Sequence, residues 1–420
     1  MLESIAIKLT DKTKERNTTY MYDKVKYVIN TFGKRNSGSV GERSAQEYYA
    51  RELKKYTDKV VIENFEVHPL SFLGWIPISM FSLLLGLIFY FFIPAIGLAF
   101  SLFALIPMYS QLIRFKQWFD PFFPKKTSCN VYGTKAPNGE IKRRIIFVGH
   151  TDAAWEFYWH YKFGFKGLIT IGLVTLVSGV FLLGISIVRF ATTVFEGIIL
   201  TPELWSLPFI LGACIVPFVI FWLMMLKFSN FKEVVDGAND NLSANMVAMA
   251  VVKAMQEDGF ALENTEIGIL FTGSEEIGIR GAKAFVNKHA KEMNDVPTAI
   301  VNLETLRDIK YLSILRRDIN ATIKNDHDIE RLILKACENL SYDVSLDVVE
   351  VGATDAAAFS QAGMKATTLV AMAHQLENYY HTRRDTWDNM NPEVMSNVLD
   401  ICIETTWLFD KNGFDVTTRT

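Results

Sequence analysis

Five short segments carry the side chains that could do chemistry. His150 and Asp152 form an H-x-D pair after the apolar run Ile145-Ile146-Phe147-Val148. An imidazole that binds a metal through one nitrogen needs an acceptor on the other, and a carboxylate two residues on can supply it. Asp240 stands in Gly237-Ala238-Asn239-Asp240-Asn241, at the opening of a helical pattern. Glu275 and Glu276 follow Gly273-Ser274 at a strand-to-helix turn. Adjacent glutamates there point in different directions, so one can ligate while its neighbour handles a proton. Glu304 closes Asn302-Leu303-Glu304, and Tyr380-His381 lies in a loop near the carboxyl end.

Each segment alone has a plain structural explanation. Asp240 could cap a helix, Glu276 could be a surface charge, and an H-x-D pair after a strand is commonly structural. The stretch from Asp236 to Asn241 lacks the ligand spacing and closing glutamate of a calcium loop. The glycines around Ser274 lack the lysine and spacing of a phosphate loop. Two histidines and three carboxylates at successive strand ends, however, would need five separate structural coincidences. A metal site needs one. His160, His289, His327 and His374 have no partner pattern and are read as structural.

The elements that must position these residues alternate in period. Ile145–Val148, Ile267–Thr272, Ala299–Leu303 and Ala366–Val370 are short apolar runs of the kind that form central parallel strands. Helical patterns follow Gly41 and cover Asn241–Gln256, Ile329–Leu340 and Glu393–Leu408. The expected fold is therefore α/β: a mixed, mostly parallel sheet flanked by helices. In such folds sites gather beyond the carboxyl ends of the strands.

The rest of the chain is of another kind. Half of the 420 residues are apolar and only 21% are charged, and mean hydropathy is +0.16. A disordered, collagen-like or linker-rich chain is excluded, since such chains lack the apolar surface that offsets ordering entropy. A net charge of −3 argues against a broad nucleic-acid-binding face. Four cysteines (Cys129, Cys214, Cys337, Cys402) form no CxxC pair, so a disulfide framework or a cysteine zinc site is not expected.

From Val67 to Ile113 there is no Asp, Glu, Lys or Arg. One spanning helix needs about 20 apolar residues, and this run is roughly twice that. Ile93-Pro94 breaks it into Leu70–Phe92 and Pro94–Ile113. Gly167–Val188 and Ser206–Leu226 form a second pair, joined by Arg189–Trp205. Four inserted transmembrane helices are expected. Arg114, Lys116, Lys125, Lys126, Lys162, Lys166, Lys227 and Lys232 lie on the side shared with both termini, while the second hairpin's loop offers Arg189 against Glu196 and Glu203. The positive-inside rule then places both termini and the polar bulk in the cytoplasm, in a multi-pass cell-membrane protein. No signal-peptide pattern opens the chain. The expected division is a discontinuous catalytic domain (1–68, 127–164, 228–420), a hairpin segment 69–126 and a second hairpin 165–227.

The order of the polar motifs resembles peptidase family M28, the zinc exopeptidases of aminopeptidase and glutamate-carboxypeptidase type. Phe147-Val148-Gly149-His150-Thr151-Asp152 is similar to the family's first ligand motif, and Gly237-Ala238-Asn239-Asp240 to its bridging-aspartate turn. Thr272 to Gly278 with Arg280-Gly281 resembles the catalytic glutamate segment. Gly352-Ala353-Thr354-Asp355 through Phe359 and Gly363, Tyr380-His381-Thr382 with Asp385-Thr386, and Arg35…Gly41-Glu42…Ala45 are also family-like. The resemblance implies two zinc ions bridged by Asp240, with His150 and Glu304 completing one site and Glu276 and His381 the other. It implies Glu275 as general base, Tyr380 as oxyanion partner and Asp152 as the residue orienting His150. The position of Glu304 is more often Asp in the family, which keeps a single-metal, glutaminyl-cyclase-like relative open. The hairpins also set this chain apart from soluble members.

The expected function is a membrane-integral zinc peptidase, an aminopeptidase ahead of a carboxypeptidase, acting on a peptide substrate. Because the hairpins are tethered close to ligand-bearing strands, they either bring membrane-associated substrate to the site or only anchor it. A metal-free receptor-like module is disfavoured by the complete ligand set. A transporter or channel subunit is disfavoured by spans without an intramembrane charge. Oligomeric state is not legible.

Overall fold

The computed structural model describes residues 5–196, 202–373 and 377–416. His374 lies outside them. The chain divides into two compact units, residues 1–69, 125–155 and 234–420 in the first, and 70–124 and 156–233 in the second. Residues 156–164 and 228–233 thus group with the apolar segments.

The first unit is built on one large sheet. In chain order its strands are β1 (Lys59–Val67), β2 (Lys126–Lys135) and β3 (Arg143–His150). The short β4 (Trp155–Phe157) and β5 (Ser229–Val234) make a separate two-stranded ribbon. Then come β6 (Thr265–Thr272), β7 (Thr298–Leu306), β8 (Leu312–Asp318), β9 (Ile323–Lys324), β10 (Ser345–Val348) and β11 (Ala366–Ala371). The order across the sheet is β1-β2-β6-β3-β7-β11-β8-β10, with β9 on β8. Its centre, β6-β3-β7-β11, is parallel throughout. β1, β2 and β8 bring the antiparallel pairings.

Burial explains why the central runs are continuously apolar. Ile145, Ile146, Phe147 and Val148 are fully buried, so both faces of β3 must be covered. One cover is the helix Ala244–Glu257, buried from Ala244 to Met255. Against it lie the long helix Pro392–Asn412 and Met21, Val25 and Val28 of the helix Ile5–Phe32 in the same core. Close packing reaches the site directly. A Cβ on Gly149 would stand 2.6 Å from Asn245 Oδ1, and Asn245 Nδ2 donates to the carbonyl of His150.

The second unit is helical. Trp75–Phe92 and Pro94–Pro107 form a hairpin, the latter running on through a wider turn Met108–Ile113. Pro94 opens its helix at once, where a missing N–H costs nothing. Gly97 packs against the Tyr90 backbone, 2.6 Å from where its Cβ would be. Tyr158–Glu196 is one long helix with a break in helical geometry at Gly164. Leu207–Ala213 and Val219–Met225 are joined by the tight turn Val216–Phe218. Outward positions are apolar, among them Phe81, Leu102, Leu173 and Val177, each at least half exposed. Four helical stretches, 75–92, 94–113, 158–194 and 207–225, have the length and composition to cross a membrane.

Two local expectations are corrected. Arg189, expected in a loop, lies inside the helix Tyr158–Glu196 and is 7% exposed. Its Nε donates to the Tyr90 carbonyl at 3.0 Å, near the end of Trp75–Phe92, where helix carbonyls lack partners. Glu304, expected to close its strand, is followed by two more residues of β7.

Candidate metal centre

The parallel strands β6, β3, β7 and β11 end on the same side of the sheet, and the five segments meet there. His150 is the last residue of β3. Glu275 and Glu276 sit in the turn that follows β6. Glu304 pairs with Val370 across β7 and β11. Asp240 lies in the irregular turn Ala238–Ser243, ahead of Ala244–Glu257. Tyr380 and His381 come from the loop after β11.

The central residue is Asp240. Its Oδ1 lies 3.1 Å from His150 Nε2, and its Oδ2 lies 3.0 Å from His381 Nε2. His381 Nε2 is also 3.0 Å from Glu276 Oε2. His150 Nε2 is 3.5 Å from Glu304 Oε1 and 3.8 Å from Glu275 Oε2. The carboxylate thus faces a different imidazole with each oxygen, and each imidazole faces a second carboxylate. His150, Asp240 and Glu276 alone already place one ligand atom each within 4.8 Å of one another. The Tyr380 ring stacks on His381, with centroids 4.0 Å apart.

This donor set fits a divalent cation. Glu276 Oε1 and Glu304 Oε2 are buried without a hydrogen-bond partner, a state that costs about 1–3 kcal/mol or more for a charged group. Five carboxylates (Asp152, Asp240, Glu275, Glu276, Glu304) crowd two imidazoles. Burial and neighbouring carboxylates push Glu276 up to about 7 and Glu275 well above the usual range. His150 is held well above its ordinary value and His381 is pushed up to about 10, their burial outweighed by the surrounding carboxylates. Asp240 moves the other way, well below the carboxylate range, because hydrogen bonds from His150 and His381 outweigh its burial. Negative charge in excess, held out of water, calls for a cation. Burial, then Asp240 and Glu276, keep the Tyr380 phenol protonated and able to donate.

Residues from distant segments hold these groups in place. Asp152 does more than face His150 Nδ1 at 3.5 Å. Its Oδ1 accepts from Glu275 N at 2.9 Å, and its Oδ2 from Glu276 N at 3.2 Å and Ser37 Oγ at 2.8 Å. Glu42 Oε1 accepts from Ser274 N at 2.9 Å, supporting a turn in which Ser274 has φ of 57°. Asp385 accepts from Asn239 N and Nδ2, both at 2.8 Å, and from Asp240 N at 3.1 Å. Asn241 joins the same turn to β7 through Leu303 O and Thr305 N. Buried Arg35 ties Thr151 O to Asp236 O.

Arg307 closes the ring. Its Nε and Nη2 donate to the backbone and side-chain oxygens of Asn389 at 3.1 and 2.9 Å, and its guanidinium lies 5.1 Å from the Tyr379 ring centroid. Asn239 Nδ2 reaches the same Asn389 carbonyl at 3.4 Å. One side chain so links the strand of Glu304, the turn of Asp240 and the loop of His381.

The sequence reading did not single out Arg307, Asn389 or Ser37, and nothing local marks them. Glu42 did carry a signal. Ser39-x-x-Glu42 is a helix-start pattern, and Ser39 Oγ indeed accepts from Glu42 N at 3.1 Å. The structure then spends the glutamate on the Ser274 turn.

Residues 226–406 match the family model described as Peptidase family M28. This stretch carries an M28 peptidase domain. Asp240, Glu275, Glu276, Glu304, Tyr380 and His381 fall within the match; His150 and Asp152 precede it, at and just after the end of β3. Solved structures with the same fold include an aminopeptidase from Aneurinibacillus sp. strain AM-1, 14% identical, covering 94% of each chain at a TM-score of 0.55. A zinc aminopeptidase from Bacillus subtilis is 12% identical, covering 93% of this chain and 94% of that one at 0.55. A Bacteroides thetaiotaomicron glutaminyl cyclase bound to N-acetylhistamine is 13% identical, covering 93% and 97% at 0.53. At these identities the likeness is one of fold. No curated protein sequence matches the chain.

Proposed function

We propose that this chain is a membrane-integral, zinc-dependent exopeptidase, an aminopeptidase in preference to a carboxypeptidase, with its M28 unit and both termini on the cytoplasmic side. The observation that carries the reading is Asp240, whose two oxygens face His150 and His381 separately. That is the arrangement expected of a carboxylate shared by two ions, with Glu304 beside the first imidazole and Glu276 beside the second.

Zinc held there would polarise the scissile carbonyl and acidify a water. The chain's own residues do the rest. Glu275, in a carboxylate-rich and largely buried position, takes the proton of the attacking water and returns it to the leaving amine. Burial and the carboxylates around it raise its affinity for protons. Tyr380 donates its phenol proton in a hydrogen bond to the carbonyl oxygen as negative charge develops. Asp152 fixes both His150 and the backbone that carries Glu275. The apolar unit anchors the enzyme in the bilayer, and its tethers next to β2 and β3 favour peptides presented at the membrane surface.

The test compares detergent-purified wild type with Glu275→Gln on peptides free or blocked at each end, with zinc supplied. Wild type should cleave. The variant should keep its zinc and lose about 10²–10⁴-fold in turnover, and the tolerated blocking group names the terminus that is read. Glu304 and the glutaminyl cyclase fold neighbour favour one second reading, an amide-directed transfer that closes an amino-terminal glutamine with release of ammonia. Ammonia release without peptide cleavage would select it.

A further inference from the structure

Within the apolar unit the helices alternate in direction, so residues 70–75, 114–123, 158–166 and 226–233 share one end. Side-chain contacts agree. Trp159 Nε1 donates to Met224 O at 2.7 Å, the Phe157 and Phe228 rings are 4.9 Å apart, and those of Phe72 and Phe115 are 5.3 Å apart.

That end is one-sided in charge. Arg114, Lys116, Lys162, Lys166, Lys227 and Lys232 are all exposed. Among the described residues none of the six makes an ion pair. The carboxylates there are withdrawn: Asp120 and Glu156 are buried and Glu233 is half-buried. Large aromatic side chains stand out between the cations, with Trp118 at 60%, Phe122 at 79% and Phe163 at 60% exposure. Tyrosine faces steady two of the ammonium groups. Lys162 lies 5.8 Å from the Tyr158 centroid and 5.4 Å from that of Tyr161, and Lys227 lies 5.9 Å from Tyr158. The other end of the helices offers, among described residues, buried Arg189 and exposed Glu203.

We infer that this collar binds the anionic headgroups of phospholipids, with Trp118, Phe122 and Phe163 seated at the interface and the six cations on the headgroup charge. The inference rests on the membrane reading above and adds a lipid chemistry to it. Tryptophan, with its apolar body and polar N–H edge, collects at the headgroup level, and the exposed phenylalanine rings beside it leave water by seating just below. A purely apolar partner surface would leave six unpaired cations uncompensated, and a zwitterionic headgroup cancels most of its own field. An anionic leaflet does neither. Each basic side chain near such a surface contributes about fivefold in affinity, and the effect fades within a screening length.

The experiment uses the full chain in nanodiscs and reads tryptophan quenching by brominated phosphatidylglycerol against brominated phosphatidylcholine. Phosphatidylglycerol should quench more strongly at equal mole fraction, and 0.5 M salt should narrow the difference. The variant Arg114→Gln, Lys116→Gln, Lys162→Gln, Lys166→Gln should lose about tenfold or more of the preference. Trp118→Phe should remove a large share of the phosphatidylglycerol-specific signal. Equal quenching by the two lipids in wild type, or a preference that survives the fourfold neutralisation, overturns the inference. A chain washed from vesicles by alkaline carbonate would instead defeat the membrane reading itself.

Discussion

The two units differ in what their longest-range polar contacts do: in the apolar unit they tie helix to helix, and in the sheet unit they aim the turns of the metal centre. In the apolar unit several hydroxyls are satisfied close by in sequence, although Ser82 reaches Phe100 O and Tyr90 reaches Pro208 O. Ser101 donates to Gly97 O, Ser178 to Val174 O, Thr170 to Lys166 O, and Thr193 to Arg189 O, each four residues back. In the sheet unit hydroxyls such as Thr18, Ser243 and Thr406 again bond four residues back, but the turns of the metal centre find their partners far away in sequence. Asp152 and Glu275 are 123 residues apart, Asp385 and Asn239 146, and Glu42 and Ser274 232. A helix long and apolar enough to span a bilayer closes its backbone bonds within itself, and its hydroxyls can add to them one turn back. A catalytic turn has to be aimed, and only groups from other segments can aim it.

Asp152→Ala should break the comparison most severely. It leaves Glu275 N and Glu276 N without their acceptor and His150 without its neighbour. Zinc affinity should fall about 100-fold and stability by about 3 kcal/mol. Equilibrium dialysis with metal analysis decides it, and an unchanged zinc content would show that remote carboxylates do not hold the centre.

Arg307→Ala comes next. Loss of its bonds to Asn389 frees the loop of Tyr380 and His381, so zinc on the His381 side should weaken by about tenfold or more. The other ion should be nearly unaffected. Titration with cobalt in place of zinc would resolve the two; equal weakening of both would assign Arg307 to stability alone.

Within the apolar unit, Arg189→Ala removes the donor to Tyr90 O near a helix end, with a cost of about 1–2 kcal/mol. Thermal unfolding in detergent should shift while zinc content stays constant. A change in zinc binding would mean that the units are not separable in this way.

The smallest expected effect lies at the sheet edge. Glu63 is partly buried, but hydrogen bonds from Lys288 and His289 outweigh that and hold it below its ordinary value. A depressed acid contributes stability that is present above its unfolded pKa and lost as pH falls through its folded one. Glu63→Gln should therefore cost about 1 kcal/mol or less at pH 7, with the difference vanishing in acid below the ordinary glutamate range. Denaturant titrations at the two pH values measure it.

Much of this protein was legible in one dimension. The apolar runs at 145–148, 267–272, 299–303 and 366–370 are the four central strands, because a strand buried on both faces has no polar positions to spare. Long uncharged stretches are helices of spanning length, since length and composition alone set that capacity. The residues that meet at the centre were also visible, as polar exceptions at the ends of apolar strands. What the tertiary structure alone decided is how they face one another. That Asp240 divides its oxygens between His150 and His381, that Asp152 caps the Glu275–Glu276 turn, that Arg307 reaches Asn389, and that Arg189 sits inside a helix under Tyr90 all depend on segments 80 to 150 residues apart. Periodicity records which face of an element is buried. It carries no record of which distant atom completes a hydrogen bond there.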